Sequence, residues 1–184
     1  ITLEIKQNTQ TSEGNTIPLH FKLTNISSNS IDLSTISIHY FFTEDDATNS
    51  TTPILYVDYA GGALNGSNYI QTTDAVTGTV APLGTPYSTA DNVLITAFDS
   101  SIETLDPHGY IEVQVRLTKA NWSNFIFEND FSYNPQTENY ETAENIALYM
   151  NTTLITGETP STDTPSDDTD DNHSDTPTDD TDDN

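Results

Sequence analysis

Residues 111–117 read Ile-Glu-Val-Gln-Val-Arg-Leu, so apolar and polar side chains alternate without a break. Successive side chains of a β-strand point to opposite faces, and this pattern predicts a strand with one face in a core and the other outside. Residues 17–23 and 36–42 alternate in the same way, the latter with Ser37, His39 and Phe41 on the outward face. Further candidate strands are 2–6, 54–59, 92–98 and 147–155. Many short strands without a long helical period predict an all-β protein, a two-sheet antiparallel sandwich of the jelly-roll type.

The apolar residues end well before the chain does. Of the 184 residues, 33% belong to the set AVILMFWYC, and none of them follows Ile155. Beyond that point Asp163–Asn172 recurs as Asp175–Asn184, with Thr178 in place of Ser166 as the one difference. Carboxylates that repel one another cannot bury enough surface to offset chain entropy. We therefore expect one folded domain, residues 1–156, followed by a disordered acidic linker, residues 157–184.

The chain is strongly acidic, with 29 Asp and Glu against four Lys and Arg and a formal net charge of -25. Proteins that bind phosphate backbones or anionic headgroups do so through clustered Lys and Arg. Nucleic acid and direct membrane binding are therefore not expected. The absence of cysteine excludes disulfides and thiolate metal sites. No apolar run approaches the roughly 18 residues that a membrane span needs.

The single arginine and the single tryptophan lie close together in the sequence. Arg116 is on the outward face of the strand at 111–117, and Trp122 follows it six residues later. The immediate neighbours of Trp122 are all polar or small, which favours an exposed ring rather than a core one. The alternative is that Trp122 fills the core or an edge, as a lone tryptophan after a strand most often does.

Five segments resemble, in order, the family 3 carbohydrate-binding modules, which are the cellulose-binding modules of cellulosomal scaffoldins, cellulases and some membrane-bound sensors. The segments are Phe21–Asn25, Ser30–Ser34, His39–Thr43, Val113–Asn124 and Glu128–Tyr133. The resemblance covers residues 1–156. It implies a nine-stranded antiparallel β-sandwich with jelly-roll topology.

The resemblance also implies a flat carbohydrate-binding strip on one sheet. Its residues are matched here by Asp58, Tyr59, Tyr69, Arg116 and Trp122, with Tyr59 where His is common. Coplanar rings can cover the apolar faces of a glucan, and a guanidinium paired with a carboxylate would extend the same plane. Polar anchors beside the strip correspond to Asn15, Gln114 and Thr137. Ordinary half-buried or solvated residues are the alternative for each of these positions.

A structural Ca²⁺ site is a second implication of the resemblance. The family builds it from a Thr-x-Asp in one loop and an Asn-Asp in another, matched here by Thr43, Asp45, Asn129 and Asp130. Ile126 stands where a Thr is often a ligand, so it could contribute only its backbone carbonyl. Oxygen ligands from two loops suit a hard cation. A solvated acidic loop at residues 44–46 is the alternative.

These features predict a non-catalytic, monomeric module that binds crystalline cellulose or a related β-glucan. The four histidines have no metal-ligand spacing, and no nucleophile-elbow motif occurs. Because the chain begins at Ile1 and ends at a repeat boundary, we expect covalently linked neighbouring modules in a secreted or cell-surface bacterial protein. Three alternatives remain: a helper module of a cellulase acting on single glucan chains, the polysaccharide-sensing ectodomain of a membrane-bound anti-sigma-type regulator, and an adhesin-like sandwich without a glycan ligand.

Overall fold

The computed structural model describes residues 1–7, 11–45, 53–135 and 139–161. Its strands are β1 (Thr2–Lys6), β2 (Glu13–Gly14), β3 (Thr16–Thr24), β4 (Ile36–Phe42), β5 (Ile54–Gly62), β6 (Ile70–Gln71), β7 (Val76–Tyr87), β8 (Ala90–Phe98), β9 (Tyr110–Thr118), β10 (Phe125–Ile126), β11 (Glu141–Thr142), β12 (Ala147–Met150) and β13 (Thr153–Thr156). Single turns of 3-10 helix occupy Leu33–Thr35, Thr73–Ala75 and Phe127–Asn129. Over these four ranges, no helix has the length and hydrophobicity that crossing a membrane would require.

Two antiparallel sheets form a sandwich. The first has the order β11-β1-β3-β9-β5-β6, and the second has the order β13-β12-β4-β8-β7. Strands β2 and β10 form a separate short pair. Nine of the described strands have four or more residues, and the other four have two each. The predicted nine-stranded jelly-roll sandwich is therefore confirmed, with β6 and β11 added at the edges of the first sheet and β2 and β10 as a separate pair.

The apolar faces of the alternating segments, which form β3, β4 and β9, pack into one common core. Ile17, Leu19, Phe21 and Leu23 of β3 are all fully buried, and so are the inward residues of β9 and of β4. One contiguous cluster contains residues from both sheets. Because β3 and β9 are central strands of their sheet, their other faces form a continuous outer surface.

Three local predictions were incomplete or wrong. Residues 147–155 form two strands, because Asn151 adopts φ of +53° and turns the chain back on itself. Strand β7 was not predicted, since its Gly and Pro residues obscure the pattern; Pro is tolerated there because β7 is an edge strand. Phe41 was assigned to an outward face but is buried in a second cluster with Val93 and Ala147.

The predicted disordered linker lies almost wholly outside the described residues. The structure describes residues 157–161 of that segment and none beyond. Gly157 adopts φ of +81° directly after β13, and a Cβ there would lie 1.8 Å from the Ile146 carbonyl oxygen. Only glycine fits this turn, which ends the strand at the predicted start of the linker.

Candidate functional site

The outer face of the six-stranded sheet is organised by strand β9. Arg116 is paired with Pro18 of β3 on one side and with Tyr56 of β5 on the other. Gln114 is likewise paired with His20 and with Tyr59. Directly opposed residues on one face of a sheet lie within side-chain contact. The register therefore gathers residues from three strands around Arg116 and Gln114.

Asp58 reaches this face through an irregularity in β5. The pairing between β5 and β9 shifts at Val57–Tyr59, so Asp58 is an extra residue on the β5 side. A bulge of this kind re-aims a side chain without breaking the strand. The Arg116 Nε donates to Asp58 Oδ1 at 3.0 Å and to Oδ2 at 2.9 Å. The bulge thus brings the carboxylate to the single arginine.

The Arg116 guanidinium is held from two sides. Its central carbon lies 4.4 Å from the centroid of the Tyr56 ring, while Asp58 accepts its Nε hydrogen bonds. The two charged side chains remain 39% and 41% exposed, so their attraction is screened by water and contributes at most about 1 kcal/mol to stability. The contacts act mainly on orientation, because they hold a flat cation in place on an open surface.

Tyr59 and Tyr69 meet over Gly61. A Cβ at Gly61 would lie 2.7 Å from the Tyr59 Oη and 2.8 Å from the Tyr69 Oη, so any side chain there would displace the rings. Tyr69 lies just before β6 and is 59% exposed, whereas Tyr59 is half-buried. The pKa of Tyr69 is raised by partial loss of hydration and then by Glu112 and Tyr110. The glycine allows the hydroxyl ends of the Tyr59 and Tyr69 rings to lie close together on the face.

Trp122 lies in the turn that follows β9. Its backbone has φ of +59°, its N–H donates to the Lys119 carbonyl at 3.0 Å, and its side chain is 62% exposed. Lys119 is only 2% exposed; its Nζ donates to the Asn124 carbonyl at 2.8 Å and lies 4.4 Å from the Phe125 ring centroid. A buried ammonium therefore closes the turn whose tip carries the exposed tryptophan.

The predicted anchors are only partly placed. Gln114 lies on the outer face between His20 and Tyr59. Asn15 is exposed between β2 and β3, where its Oδ1 accepts from the Thr16 hydroxyl at 3.3 Å. Thr137 lies outside the described residues. Sequence reasoning missed Tyr56 and Lys119. Tyr56 could have been found, because it lies two residues before Asp58 in a predicted strand and so should share its face. Nothing in the sequence marks Lys119 as buried.

Four of the five predicted calcium ligands come together at the end of β4, namely Thr43, Asp45, Asn129 and Asp130. The contact of the fifth, Ile126, is made by its backbone N–H rather than by its carbonyl. The Thr43 hydroxyl lies 2.6 Å from Asn129 Oδ1, 3.0 Å from Asp45 Oδ1 and 3.0 Å from Asp130 Oδ1. One hydroxyl proton can serve only one of these three acceptors. The Thr43 backbone N–H also donates to Asp130 Oδ1 at 2.7 Å. Several oxygen atoms from two loops therefore lie around the Thr43 hydroxyl, and there are too few protons for each close oxygen pair to form a hydrogen bond.

Asp130 is the clearest sign that a cation fits. Its side chain is 6% exposed, and its Oδ2 is buried with no hydrogen-bond partner among the described residues. Burial raises the pKa of Asp130 to about 8; two hydrogen bonds from Thr43 oppose the shift, and Asp45 and Asp91 add to it. An unpartnered buried carboxylate oxygen is costly unless a positive charge lies beside it.

The donor set is oxygen-rich but contains few carboxylates. Asp45, in the left-handed region with φ of +62°, accepts from the Ile126 backbone N–H and from the Asn129 side-chain amide, both at 2.7 Å. The described part of the chain has no group of three or more His, Cys, Asp or Glu positioned to hold a metal. A cation here would therefore depend on amide, hydroxyl or backbone oxygens as well as on Asp45 and Asp130, which suits Ca²⁺.

Asp91 is a neighbouring acid that sequence reasoning missed. Its Oδ1 accepts from the Glu44 backbone N–H at 2.9 Å and from the Asn92 side-chain amide at 2.7 Å. It lies at the start of β8, beside the end of β4, and it contributes to the raised pKa of Asp130. No local motif connects it to residues 43–45, because the contact depends on the pairing of β4 with β8.

Comparison with known proteins gives consistent matches. The model of the family described as cellulose binding domain matches residues 2–157. The fold superposes on a family IIIA CBD from Clostridium cellulolyticum with a TM-score of 0.80 and 31% identity, covering 86% of this chain and 96% of that one. A biomass-sensing module from Clostridium thermocellum gives a TM-score of 0.74 and 25% identity, covering 86% and 96%.

Among the curated relatives, similarity is confined to a small part of each protein. Cellulosomal-scaffolding protein B of Acetivibrio thermocellus is 32% identical over 148 residues, which is 79% of this chain and 18% of that protein. Cellulose-binding protein A of Clostridium cellulovorans is 29% identical over 167 residues, or 90% and 9%. The chain therefore spans less than a fifth of the length of these relatives.

Proposed function

Because the chain belongs to the family of cellulose binding domains, we propose that it binds crystalline cellulose without catalysing a reaction and targets an attached protein or a cell surface to plant cell-wall polysaccharide. The observation that carries this proposal is the outer face of the six-stranded sheet. There Arg116 is fixed between Asp58 and Tyr56, and Tyr69 is more than half exposed; Trp122 is equally exposed in the turn that follows β9.

An open face of this kind suits an insoluble, uncharged ligand. Tyrosine, tryptophan and guanidinium groups present flat surfaces that can exclude water from the apolar faces of sugar rings. Cellulose is uncharged, so the net charge of -25 does not oppose its approach. The proposed contact set is Asp58, Tyr59, Tyr69, Arg116 and Trp122, with Asn15, Gln114 and Thr137 as polar anchors and Tyr56 as support for Arg116.

A structural Ca²⁺ ion is part of the proposal. Asp45, Asn129 and Asp130 would hold it through side-chain oxygens, Thr43 through its hydroxyl oxygen, and Ile126 through its backbone carbonyl. When bound, the ion supplies positive charge that neutralises the buried Asp130 carboxylate. It would also tie the segment after β4 to the segment after β10. Support comes from the three close oxygen contacts of Thr43 and from the unpartnered Asp130 Oδ2.

The setting in which the module works is a further proposal. Similarity restricted to short parts of long scaffolding proteins supports a role as one module of a larger extracellular bacterial protein, secreted or held at the cell surface. We propose that the module is monomeric. The similarity to a biomass-sensing module favours one alternative, in which the same face detects polysaccharide for a membrane-bound regulator.

Depletion from solution by solid polysaccharide tests the proposed function. We expect microcrystalline cellulose to remove the protein, and xylan and chitin to remove far less. Trp122→Ala should weaken cellulose binding about 30-fold, because a tryptophan that contacts the ligand typically contributes 2 kcal/mol or more. Tyr87→Ala, at the far end of β7 in the other sheet, is the matched control and should bind normally. A parent protein that stays in solution would refute the proposal.

A further inference from the structure

A second group of aromatic and charged side chains lies on the same outer face, away from Arg116. We call it the Lys22 patch and define it by Glu4 of β1, Lys22 of β3, Tyr110 and Glu112 of β9, and Tyr140, which precedes β11. The Lys22 Nζ lies 5.5 Å from the ring centroid of Tyr110 and 5.5 Å from that of Tyr140. One ammonium group therefore positions two tyrosine rings.

The charges of the patch are arranged around Lys22. Lys22 is paired across the strands with Glu4 on one side and with Glu112 on the other, and its Nζ lies 4.0 Å from the Glu4 carboxylate. Both side chains of that pair are about one-third exposed. Ammonium and carboxylate groups that remain open to solvent can exchange their bound water for the hydroxyl groups of a sugar.

The two phenol groups are available to a ligand. Within the described ranges, neither the Tyr110 nor the Tyr140 hydroxyl makes a hydrogen bond. Burial raises the pKa of Tyr140 to about 12, with further contributions from Glu112 and Glu4. The Tyr140 phenol therefore stays protonated at neutral pH and can donate a hydrogen bond.

The patch is continuous with the proposed strip. Glu112 is paired with Gly61, the glycine over which Tyr59 and Tyr69 meet. Glu112 and Tyr110 also contribute to the raised pKa of Tyr69. From β5 to β1 the face crosses three strand intervals, about 14 Å in all at the usual spacing of about 4.8 Å. The patch thus extends the face sideways rather than along the strip.

We propose that the Lys22 patch is a second contact region, which hydrogen-bonds the hydroxyl groups of a glucan chain lying beside the chain under the strip. This inference rests on the proposed function, and it adds Lys22, Tyr110 and Tyr140 as ligand-contacting residues. An ordered cellulose surface presents parallel chains, so a face that is wide across its strands can engage two of them. Its mixed charges suit neutral hydroxyl groups better than an anionic polymer, which the net charge of the molecule would repel.

The double variant Tyr110→Phe/Tyr140→Phe is the principal test. It removes two hydroxyl groups and retains both rings around Lys22, so folding should be unaffected. We expect its binding to microcrystalline cellulose to be about five- to tenfold weaker in a depletion isotherm, given the usual strength of neutral hydrogen bonds. Lys22→Met, which keeps the apolar stem, should also weaken binding. Tyr149→Phe is the matched control on the opposite sheet and should bind like the parent.

The outcomes separate this inference from the function on which it rests. If the parent and Tyr149→Phe bind equally and the patch variants bind less, with unchanged melting temperatures, the second contact region is supported. If the patch variants bind like the parent while Trp122→Ala is weakened, the Lys22 patch is wrong and the strip stands. If the parent itself is not depleted by cellulose, the proposed function fails as well.

Discussion

The outer face around Arg116 and the cluster around Asp130 place charged groups in opposite ways. On the face, Arg116 and Asp58 are paired, about two-fifths exposed and held by strand register. In the cluster, Asp130 is buried, its Oδ2 has no described partner, and burial raises its pKa to about 8. Among the described residues, the face pairs its arginine with Asp58, whereas the groups that act on Asp130 are Thr43 and two further acids. Substitutions on the face should therefore alter binding, and changes at the cluster should alter stability.

Removing Ca²⁺ is expected to have the largest effect. A ligand at a thousand times its Kd stabilises the native state by about 4 kcal/mol. For a chain of this size the corresponding loss of Tm is roughly 10 °C. Thermal unfolding followed by circular dichroism, with excess Ca²⁺ and then with a chelator, measures it. Equal melting temperatures under the two conditions would show that the cluster is not a Ca²⁺ site.

Asp130→Asn provides the matched variant for that experiment. Asparagine is nearly the same size as aspartate but is uncharged. The substitution therefore has two effects: it removes the buried negative charge, and it weakens the binding of the cation. We expect the variant to melt above the parent in chelator and below it in Ca²⁺. This reversal depends on charge rather than packing, and a variant that is less stable under both conditions would indicate a purely structural role.

Lys119→Met comes next, with an expected loss of about 2 kcal/mol, because it leaves the Asn124 carbonyl without its buried donor. Methionine retains the length and packing of the side chain. Lys119 also closes the turn that carries Trp122, so cellulose binding should weaken several-fold even below the unfolding transition. Lys119 would then link the stability of the core to the face. Normal binding with reduced stability would confine its role to folding.

The alternation in the sequence predicts the central strands well, because period two directly reports burial on one face. Strands β3, β4 and β9 follow from it, and with them the position of Arg116 on an outer surface. Strand β7 does not follow, since an edge strand accepts the Gly and Pro that normally end one. The turn at Asn151 was also missed, because the polar residues 151–153 read Asn-Thr-Thr and lack the Gly or Pro that marks most turns.

The sequence predicted which residues belong to the candidate site but not how they are arranged in space. Resemblance to a family supplied Asp58, Tyr59, Tyr69, Arg116 and Trp122, but their arrangement depends on which residues face each other across β5 and β9. Tyr56 beneath Arg116 and Asp91 near Asp130 were missed for that reason, since both contacts join segments far apart in the sequence. Register is set by packing of the core, which short motifs do not encode.

Gly61→Ala has a smaller expected effect on stability than the changes above. The added Cβ would lie 2.7 Å from Tyr59 Oη, 2.8 Å from Tyr69 Oη and 2.9 Å from the Ile70 carbonyl oxygen. The rings can move more readily than the backbone, so we expect about 1 kcal/mol of destabilisation. Cellulose binding should fall about tenfold if ring placement contributes about 1.4 kcal/mol. Unchanged binding would show that the two tyrosines need not share this position.

Arg116→Lys isolates the geometry of the face from its charge, and its effect should be the smallest. A lysine retains the positive charge near Asp58 but cannot place a flat group over the Tyr56 ring. Because the pair is exposed, we expect less than about 1 kcal/mol of change in stability. Binding to microcrystalline cellulose should fall about threefold, equivalent to roughly 0.7 kcal/mol, and Arg116→Gln should fall further because it also leaves Asp58 unpaired. If the Arg116→Lys variant binds cellulose as well as the parent does, the face requires a positive charge beside Asp58 but not a planar guanidinium group.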